Sequence, residues 1–489
     1  MNELIINNDI SQLILESETV HKTIWNSLRF RDKNYFHSSG YQLFRKTRGK
    51  KGWDGFVDFY SKTTGKFPTG LLPEILKAIN VLKIKPKITD NRSKPIKNNE
   101  IKEDILSDYE DKNGNLIYLY DYQCDLGNKA WKYERGIIEA ATGAGKTFLF
   151  MSMIKSIPPN TPTLILFRSK TLANQTYKQF KKFGIENAGI LHGEEKDFNI
   201  ILCATIRMIE KYPNLLSKFE VLIADEVHEF ATNKSIQFFK KMKRCRYRIG
   251  FSATPWNPGD TIKKYKLKSW FGPILGSITT EQLQNQKNVH GDYILSKSKC
   301  YFHIIDSPDI EGQSYQAAYN LGVVYNKQLH KKVKEIIDSY DKGRILTIVE
   351  RIDHGDDLSA IIKNCYWIEG KDDEETRNYV IEKLQKSNEN EKSVAIATRI
   401  LQTGVDLFLH ALINGAGYKS YIMTKQRIGR GLRPSKDKEY LEYHDFYFTN
   451  NKYLEDHSKQ RIKWLKREGH PIYLVYKNGD IKQIAGEDK

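Results

Sequence analysis

The sequence predicts an α/β protein with two tandem parallel-sheet domains, a small α+β domain before them and a short extension after them. Two observations predict it. Short apolar runs alternate with helical patterns through GIIEA (136–140), TLILF (163–167), NIILCA (199–204) and VLIAD (221–225). That alternation implies a parallel sheet with helices on both faces. A second series follows with RILTIV (344–349), CYWIEG (365–370), SVAIAT (393–398) and ALINGAG (411–417). A length of 489 residues agrees with about three domains.

Taken in order, residues 1–85 form the small domain, and 86–103 read as a linker because they are polar, lysine-rich and carry two prolines. Residues 104–285 and 286–450 hold the two α/β series, joined somewhere between 275 and 300. Residues 451–489 begin with a basic helical stretch and close on PIYLVYKNGDIKQI, where Asn478-Gly479 between apolar runs signals a hairpin. In the basic stretch, Lys459, Arg461, Lys463, Lys466 and Arg467 lie beside Trp464. They read either as a nucleic-acid-contacting flank or as a solvated face, with the tryptophan docked on the neighbouring domain.

Composition narrows the function classes. No apolar run approaches the roughly 20 residues of a membrane helix, and the N-terminus MNELIINNDISQ lacks the cationic start and apolar block of a secretory leader. Cys124, Cys203, Cys245, Cys300 and Cys365 are scattered, with no CxxC pair. That spacing fits neither a disulfide framework nor a zinc site, and it fits reduced thiols in a cytoplasm. The net charge of +18 favours a polyanionic partner, although a generally lysine-rich composition also produces such an excess. The first 100 residues contribute 18 basic and 10 acidic side chains, more than their share of the excess.

Four short motifs carry chemistry. AATGAGKT (140–147) lies between a strand and a helix, the context a phosphate-binding loop needs. Thr142, Gly143, Ala144 and Gly145 would wrap backbone N–H groups around phosphate oxygens at a helix N-terminus. Lys146 would reach the β and γ phosphates and Thr147 would ligate Mg²⁺. Ala140 stands where the general pattern has its first glycine, so a chance turn capping a helix is the competing reading. Asp225-Glu226-Val227-His228 follows the strand VLIA. Asp225 would hold Mg²⁺ and Glu226 would deprotonate a water, whereas an isolated acidic pair there is usually a helix cap. Ser252-Ala253-Thr254 ends a further strand and gains meaning from its place after the other two. In QRIGRGLR (426–433), Arg430 and Arg433 would share a helix face and steady charge on a transferred phosphoryl group, unless the segment is a solvated basic helix.

In this order, over about residues 104–450, the four motifs resemble the superfamily 2 helicases and translocases of the DExH type. The resemblance implies two RecA-like motor domains, ATP with Mg²⁺, and catalytic roles for Lys146, Asp225, Glu226, Gln426, Arg430 and Arg433. It implies that Gln123, in Tyr120-Asp121-Tyr122-Gln123, reads adenine, and that Gly404 and Asp406 belong to the element joining the ATP cleft between the domains to the DNA. His228, Ser252 and Thr254 would couple hydrolysis to movement. Arg168, Thr205, Arg207 and Thr398 would contact the DNA backbone, which carries no sequence information. ERIDHGDDLSAII, IEGKDDEETRNYVIEKL and GWDGFVDFY with FPTGLL are similar to the UvsW-type helicases of tailed bacteriophages. That implies a monomeric 3′–5′ enzyme acting on forks, Holliday junctions and R-loops, with RNA–DNA hybrid as a further substrate, in the cytoplasm of a bacterial host. Alternatives are a translocase that remodels protein–DNA complexes without separating strands, and a non-catalytic NTP-responsive DNA clamp.

The basic run Lys46, Arg48, Lys50 and Lys51 precedes a turn at Gly52-Trp53-Asp54-Gly55 and a short strand FVDFY, one face of which should be buried. Trp53 reads as core rather than as a base-stacking platform. Before a superfamily 2 motor, the run would hold the duplex arm of a branched substrate, and removing residues 1–85 would weaken junction binding while sparing ATPase.

Overall fold

Strand burial with period two starts the chain. In the computed structural model, residues 2–110, 114–193, 195–287, 291, 293–308, 314–386, 391–398, 407–434 and 438–486 are described, the side chains at 374, 386, 421, 422 and 430 excepted. The polypeptide divides into two units, Met1–Ala140 with Gly145–Ser277, and Ala141–Ala144 with Ile278–Lys489.

In the first unit, β1 (Glu3–Ile6) and β2 (Ile10–Ile14) bury alternate residues, so Leu4, Ile6 and Leu13 face one core. β3 (Arg29–Arg31) and β4 (Phe56–Asp58) form a separate antiparallel ribbon. β5 (Lys66–Pro68) and β6 (Lys87–Asp90) complete a sheet of order β5-β2-β1-β6. The helix Leu72–Val81 starts with proline in its first turn and drops Ile75 and Ile79, one turn apart, onto that core. The FVDFY run departs from simple alternation. The strand stops at Asp58, and both Phe59 and Tyr60 are buried. Trp53 is only half-buried, anchored by its Nε1–H to the Phe56 carbonyl, and stands outside the hydrophobic cluster of this domain.

Residues 86–103 are not a free linker. β6 pairs in parallel with β1. Beyond it, the Ser93 carbonyl accepts from Arg246, the Ile96 N–H donates to the Tyr247 hydroxyl at 3.2 Å, and the Ile101 N–H donates to Asn128 Oδ1 at 2.8 Å. Polar, proline-bearing composition gives no sign of these partners, yet a strand and contacts with distant side chains hold the segment in place.

The first motor sheet contains β7 (Arg135–Ala140), β8 (Thr163–Phe167), β9 (Ala188–His192), β10 (Glu195–Asp197), β11 (Ile201–Thr205), β12 (Val221–Ala224), β13 (Tyr247–Ser252) and β14 (Ile274–Ile278). Its order is β10-β9-β11-β8-β12-β13-β7-β14. The central pairings are parallel, and β8, β9, β11, β12 and β13 are buried along their whole length. This is why they read as unbroken apolar runs.

The small domain is bonded to this sheet's helices. Gly70 packs so closely on the helix Thr261–Phe271 that a Cβ there would meet the Lys268 carbonyl at 2.2 Å. Tyr265 of that helix enters the small domain's core, 4.4 Å from Phe30 between ring centres. Asp9 pairs with Lys243, and Glu74 with Lys268. Buried Arg135, at the start of β7, donates to the Asn8 carbonyl as well as to those of Trp270 and Cys245.

In the second unit, β15 (Lys297–Asp306), β16 (Gly343–Ile348), β17 (Cys365–Ile368), β18 (Lys392–Ala397), β19 (Ala411–Asn414), β20 (Tyr440–Thr449), β21 (Ile472–Val475) and β22 (Ile481–Ala485) form one sheet of order β17-β18-β16-β19-β20-β15-β21-β22. Among the described residues its strands pair in parallel except β21 with β22. The C-terminal stretch is therefore part of the motor sheet rather than an appendage, because β21 pairs with the long strand β15. The hairpin at Asn478-Gly479 is present, with Gly479 at φ 92° closing a loop between Tyr476 and Asp480. The fold is thus two tandem RecA-like domains with a small N-terminal domain.

Candidate active site

Parallel sheets present ligand-binding groups at the carboxyl ends of their strands. Along the first motor sheet, that edge places the ends of β11, β8, β12, β13 and β7 side by side. The phosphate-loop segment leaves β7, the acidic pair leaves β12, and Ser252 ends β13. Arg168 follows β8 and Thr205 ends β11, whose register sets Thr205 beside Phe167. One half of the edge thus carries the phosphate and acid residues, and the other half carries the residues expected to grip nucleic acid.

After β7, Gly143 and Gly145 take φ of 92° and 70°, and Gly145 caps the helix Lys146–Lys155. Only a residue without a Cβ turns there at no steric cost, and at Gly145 a Cβ would also press on the Gln123 amide at 2.5 Å. Gln123 is buried, accepts from the Tyr120 N–H at 2.9 Å, and sends Nε2–H to the Gly145 carbonyl at 3.4 Å. It is therefore built into the loop's wall.

Lys146 Nζ lies 2.8 Å from Glu226 Oε1 and 3.7 Å from Asp225 Oδ1. Burial pushes the Glu226 carboxyl up, but Lys146 and His228 outweigh it and hold the group well below the usual carboxylate range. Burial raises Asp225 instead, with Lys146 opposing that shift. The two acids are thereby pushed apart. Glu226 also holds φ 47°, ψ 52°, a left-handed conformation that few side chains adopt. That turn aims its carboxylate back at Lys146, and no motif spacing announces it.

His228 Nδ1 lies 2.8 Å from Ser252 Oγ and 3.2 Å from Glu226 Oε2, and Ser252 Oγ also accepts from the Thr254 N–H at 3.1 Å. His228, Ser252 and Thr254 are therefore one bonded chain from the acidic pair to the end of β13. Glu229 was not singled out by the sequence. It lies 3.6 Å from His228 Nε2 and 3.7 Å from Arg168 Nη1, so it bridges the acid cluster to the half-exposed Arg168. Its only sequence signal was its place directly after the DEVH motif.

The donor set fits Mg²⁺. Asp225 Oδ1 is buried without a hydrogen-bond partner, and Thr147 stands in the first turn of the neighbouring helix. Among the described residues no group of three or more His, Cys, Asp or Glu could hold a metal alone. A partial protein shell suits Mg²⁺, which keeps waters and shares phosphate oxygens.

Arg207 is exposed on the short helix Ile206–Ile209, and Thr205 is buried at its start. In the second unit, Thr398 follows β18, and its N–H donates to the Ile368 carbonyl at 3.1 Å. Gly404 and Asp406 lie outside the described residues. Gln426 and Arg430 are on the helix Tyr421–Gly431. Arg433 lies beyond that helix's end at Leu432, so it does not share a helix face with Arg430. Two glycines in six residues stop the helix before the spacing of three can apply. The same helix is anchored from below: buried Arg427 donates to Asn414 Oδ1 at 2.6 Å, and Asn414 donates to Asp445 Oδ2 at 2.9 Å. In the small domain, Lys46, Arg48, Lys50 and Lys51 are all exposed around the end of the helix Ser39–Lys46.

Two protein-family models match the chain. One, described as type III restriction enzyme, res subunit, covers residues 100–257, and the helicase conserved C-terminal domain covers 328–435. The DNA 3′-5′ translocase XPB2 of Sulfurisphaera tokodaii is 27% identical over 370 residues, 66% of this chain and 80% of the relative. Among solved structures, the type ISP restriction-modification enzyme LlaBIII bound to DNA aligns with TM-score 0.55 and 15% identity, over 82% of this chain and 34% of its own. Bacteriophage T4 UvsW aligns over 97% of this chain and 99% of its own, with TM-score 0.46 and 20% identity. Together the two family models span more than half of the sequence and fall on the two parallel sheets in motor order; the chain belongs to the superfamily 2 helicases, ATP-dependent enzymes built on paired RecA-like domains.

Proposed function

We propose that this enzyme is an ATP-dependent DNA helicase or translocase that moves 3′ to 5′ and unwinds or branch-migrates forks, Holliday junctions and R-loops. The observation that carries the reading is the Lys146–Glu226–Asp225 constellation, on the same strand edge as Arg168 and Thr205. Lys146 and the loop N–H groups bind the ATP phosphates, and Gln123 sits at the adenine end. Thr147 and Asp225 would hold Mg²⁺, which would neutralise charge on the phosphate oxygens. Glu226 takes a proton from the attacking water. Gln426, Arg430 and Arg433 stabilise the charge building on the γ-phosphate. His228, Ser252 and Thr254 relay the change at the acids to the neighbouring strand, while Arg168, Thr205, Arg207 and Thr398 grip the backbone without reading sequence. The polarity follows the name of the XPB2 relative.

The branched-DNA role rests on the sequence resemblance and on the exposed basic run of the small domain. A setting in phage replication, recombination and repair, in a bacterial cytoplasm, follows the same resemblance. No helix among the described residues is long and apolar enough to cross a membrane. The enzyme acts as a monomer in this reading. A second reading, translocation without strand separation, is favoured by the relative's designation as a translocase. The test compares unwinding of forks, Holliday junctions, R-loops and plain tailed duplexes by the wild type and by a variant with Lys46, Arg48, Lys50 and Lys51 changed to Glu. Preference for branched substrates that disappears in the variant supports the proposal. Equal rates on every substrate in both proteins would remove the branched-DNA role. Displacement of a bound protein without strand separation selects the second reading.

A further inference from the structure

A groove of about 690 Å³ runs between the small domain and the helices of the first motor sheet. Its two walls come from distant parts of the sequence. Lys62 and Lys66 stand on the small-domain wall, and Lys240 and Lys266 on the motor wall. The two acids in the groove, Asp54 and Asp58, both pair with Arg29, and the lysines leave the lining net positive. None of the four lysines has an ion-pair partner among the described residues. Between the walls lies an apolar floor that includes Val57, Phe67, Pro68 and Ile236. Trp25 adds an aromatic face to the small-domain wall, with the Lys62 ammonium 4.8 Å and the Arg29 guanidinium 4.3 Å from its ring centre.

We propose that this groove is a second nucleic-acid site, which holds a short stretch of single strand away from the strand-edge residues Arg168, Thr205 and Arg207. Charge selects a polyanion, because four lysines without an ion-pair partner among the described residues line the groove. Shape selects a single strand: a cleft of about 690 Å³ takes a flexible backbone with its bases but not a rigid duplex. The combination of aromatic and apolar surface with lysines at the rim is the one used by sequence-independent single-strand sites, where bases stack and cations follow the phosphates. The proposal rests on the helicase reading only for the identity of the polyanion. In that reading the groove holds the strand displaced at a branch point while the motor advances.

The test uses the full chain. Oligothymidine binding is measured by fluorescence anisotropy as a function of salt for the wild type and for the variant Lys62→Glu, Lys66→Glu, Lys240→Glu, Lys266→Glu. The corresponding Lys→Gln variant and a thermal melt check that folding is retained, which is expected because Lys62, Lys66 and Lys240 are exposed and Lys266 is half-exposed. Four phosphate contacts predict a salt slope shallower by about 3 in the reversed variant and, at moderate salt, affinity weaker by about tenfold or more. Oligonucleotide carrying 5-iodouracil should crosslink to the peptide containing Trp25. Unchanged affinity and slope in the reversed variant, with no crosslink at that peptide, overturns the site. A polyglutamate peptide that binds wild type but not the reversed variant, while oligothymidine binding is unchanged, also overturns it and assigns the groove to an acidic protein. Absence of DNA-stimulated ATPase in the wild type would sink the motor reading but not this one, which is judged on binding alone.

Discussion

Arg461 and Asp445 form a fully buried ion pair in the second unit. Arg461 Nη2 lies 2.9 Å from Asp445 Oδ1, and Nε lies 3.0 Å from Oδ2. The guanidinium also donates to the carbonyls of Gly417 and Phe446, at 2.8 and 2.9 Å. Asn414 and Tyr443 donate to Asp445 Oδ2, and Arg427 donates to Asn414. The C-terminal helix and the helix carrying Arg430 are thus held by one polar network. Arg461→Ala leaves Asp445 buried without its counter-charge, so it should lower stability by about 3–5 kcal/mol. Urea unfolding of the two proteins measures this, and a loss below about 1 kcal/mol would show that the network is not structural.

Lys146→Ala removes the cation that holds Glu226, and Glu226→Gln removes the proposed base while preserving the side chain's size. Each should lower DNA-stimulated ATPase by about a hundredfold or more, the range for a general base or a preorganised charge. Steady-state phosphate release checks both. Near wild-type rates in either variant would end the catalytic assignment.

Gly70→Ala tests the attachment of the small domain. The new Cβ must displace the Lys268 and Ser269 backbone, which it would meet at 2.2 and 2.6 Å. Overpacking of this kind costs about 1–3 kcal/mol. The expected result is a lower melting temperature with faster proteolysis of the small domain. Truncation before residue 86 is a poorer probe, since it also removes the Asn8 carbonyl from buried Arg135 and leaves β6 without β1.

The acid cluster predicts a pH dependence. Burial pushes His228 down, but hydrogen bonds with Glu226 and Glu229 more than reverse that and raise it above its ordinary value. Protonated His228 then stabilises the fold fully below about pH 6.5, and the contribution is lost as pH rises through the higher folded-state value. Wild-type stability should therefore fall more steeply above about pH 6.5 than that of His228→Gln. Urea unfolding across that range compares them. Parallel curves would mean that His228 is not charged in the folded protein.

The sequence by itself determined the motor. Fully buried parallel strands must be apolar along their length, so TLILF and VLIA were legible as strands, and the loop, acids and hydroxyls that follow them inherited a defined place. Lys146 and Glu226 could be paired because the strands they follow share one sheet edge. What only the tertiary structure decided depends on partners far apart in sequence. The segment 86–103 looked loose because its partners, such as Arg246 and Tyr247, lie about 150 residues away. Arg461 looked like a surface cation because charge and helical spacing say nothing about a carboxylate on the preceding strand. The left-handed turn at Glu226 and the lysine-walled groove arise from packing that no local pattern encodes. Local propensity fixes elements and their apolar faces, whereas a buried charge or a shared groove exists only once distant segments have met.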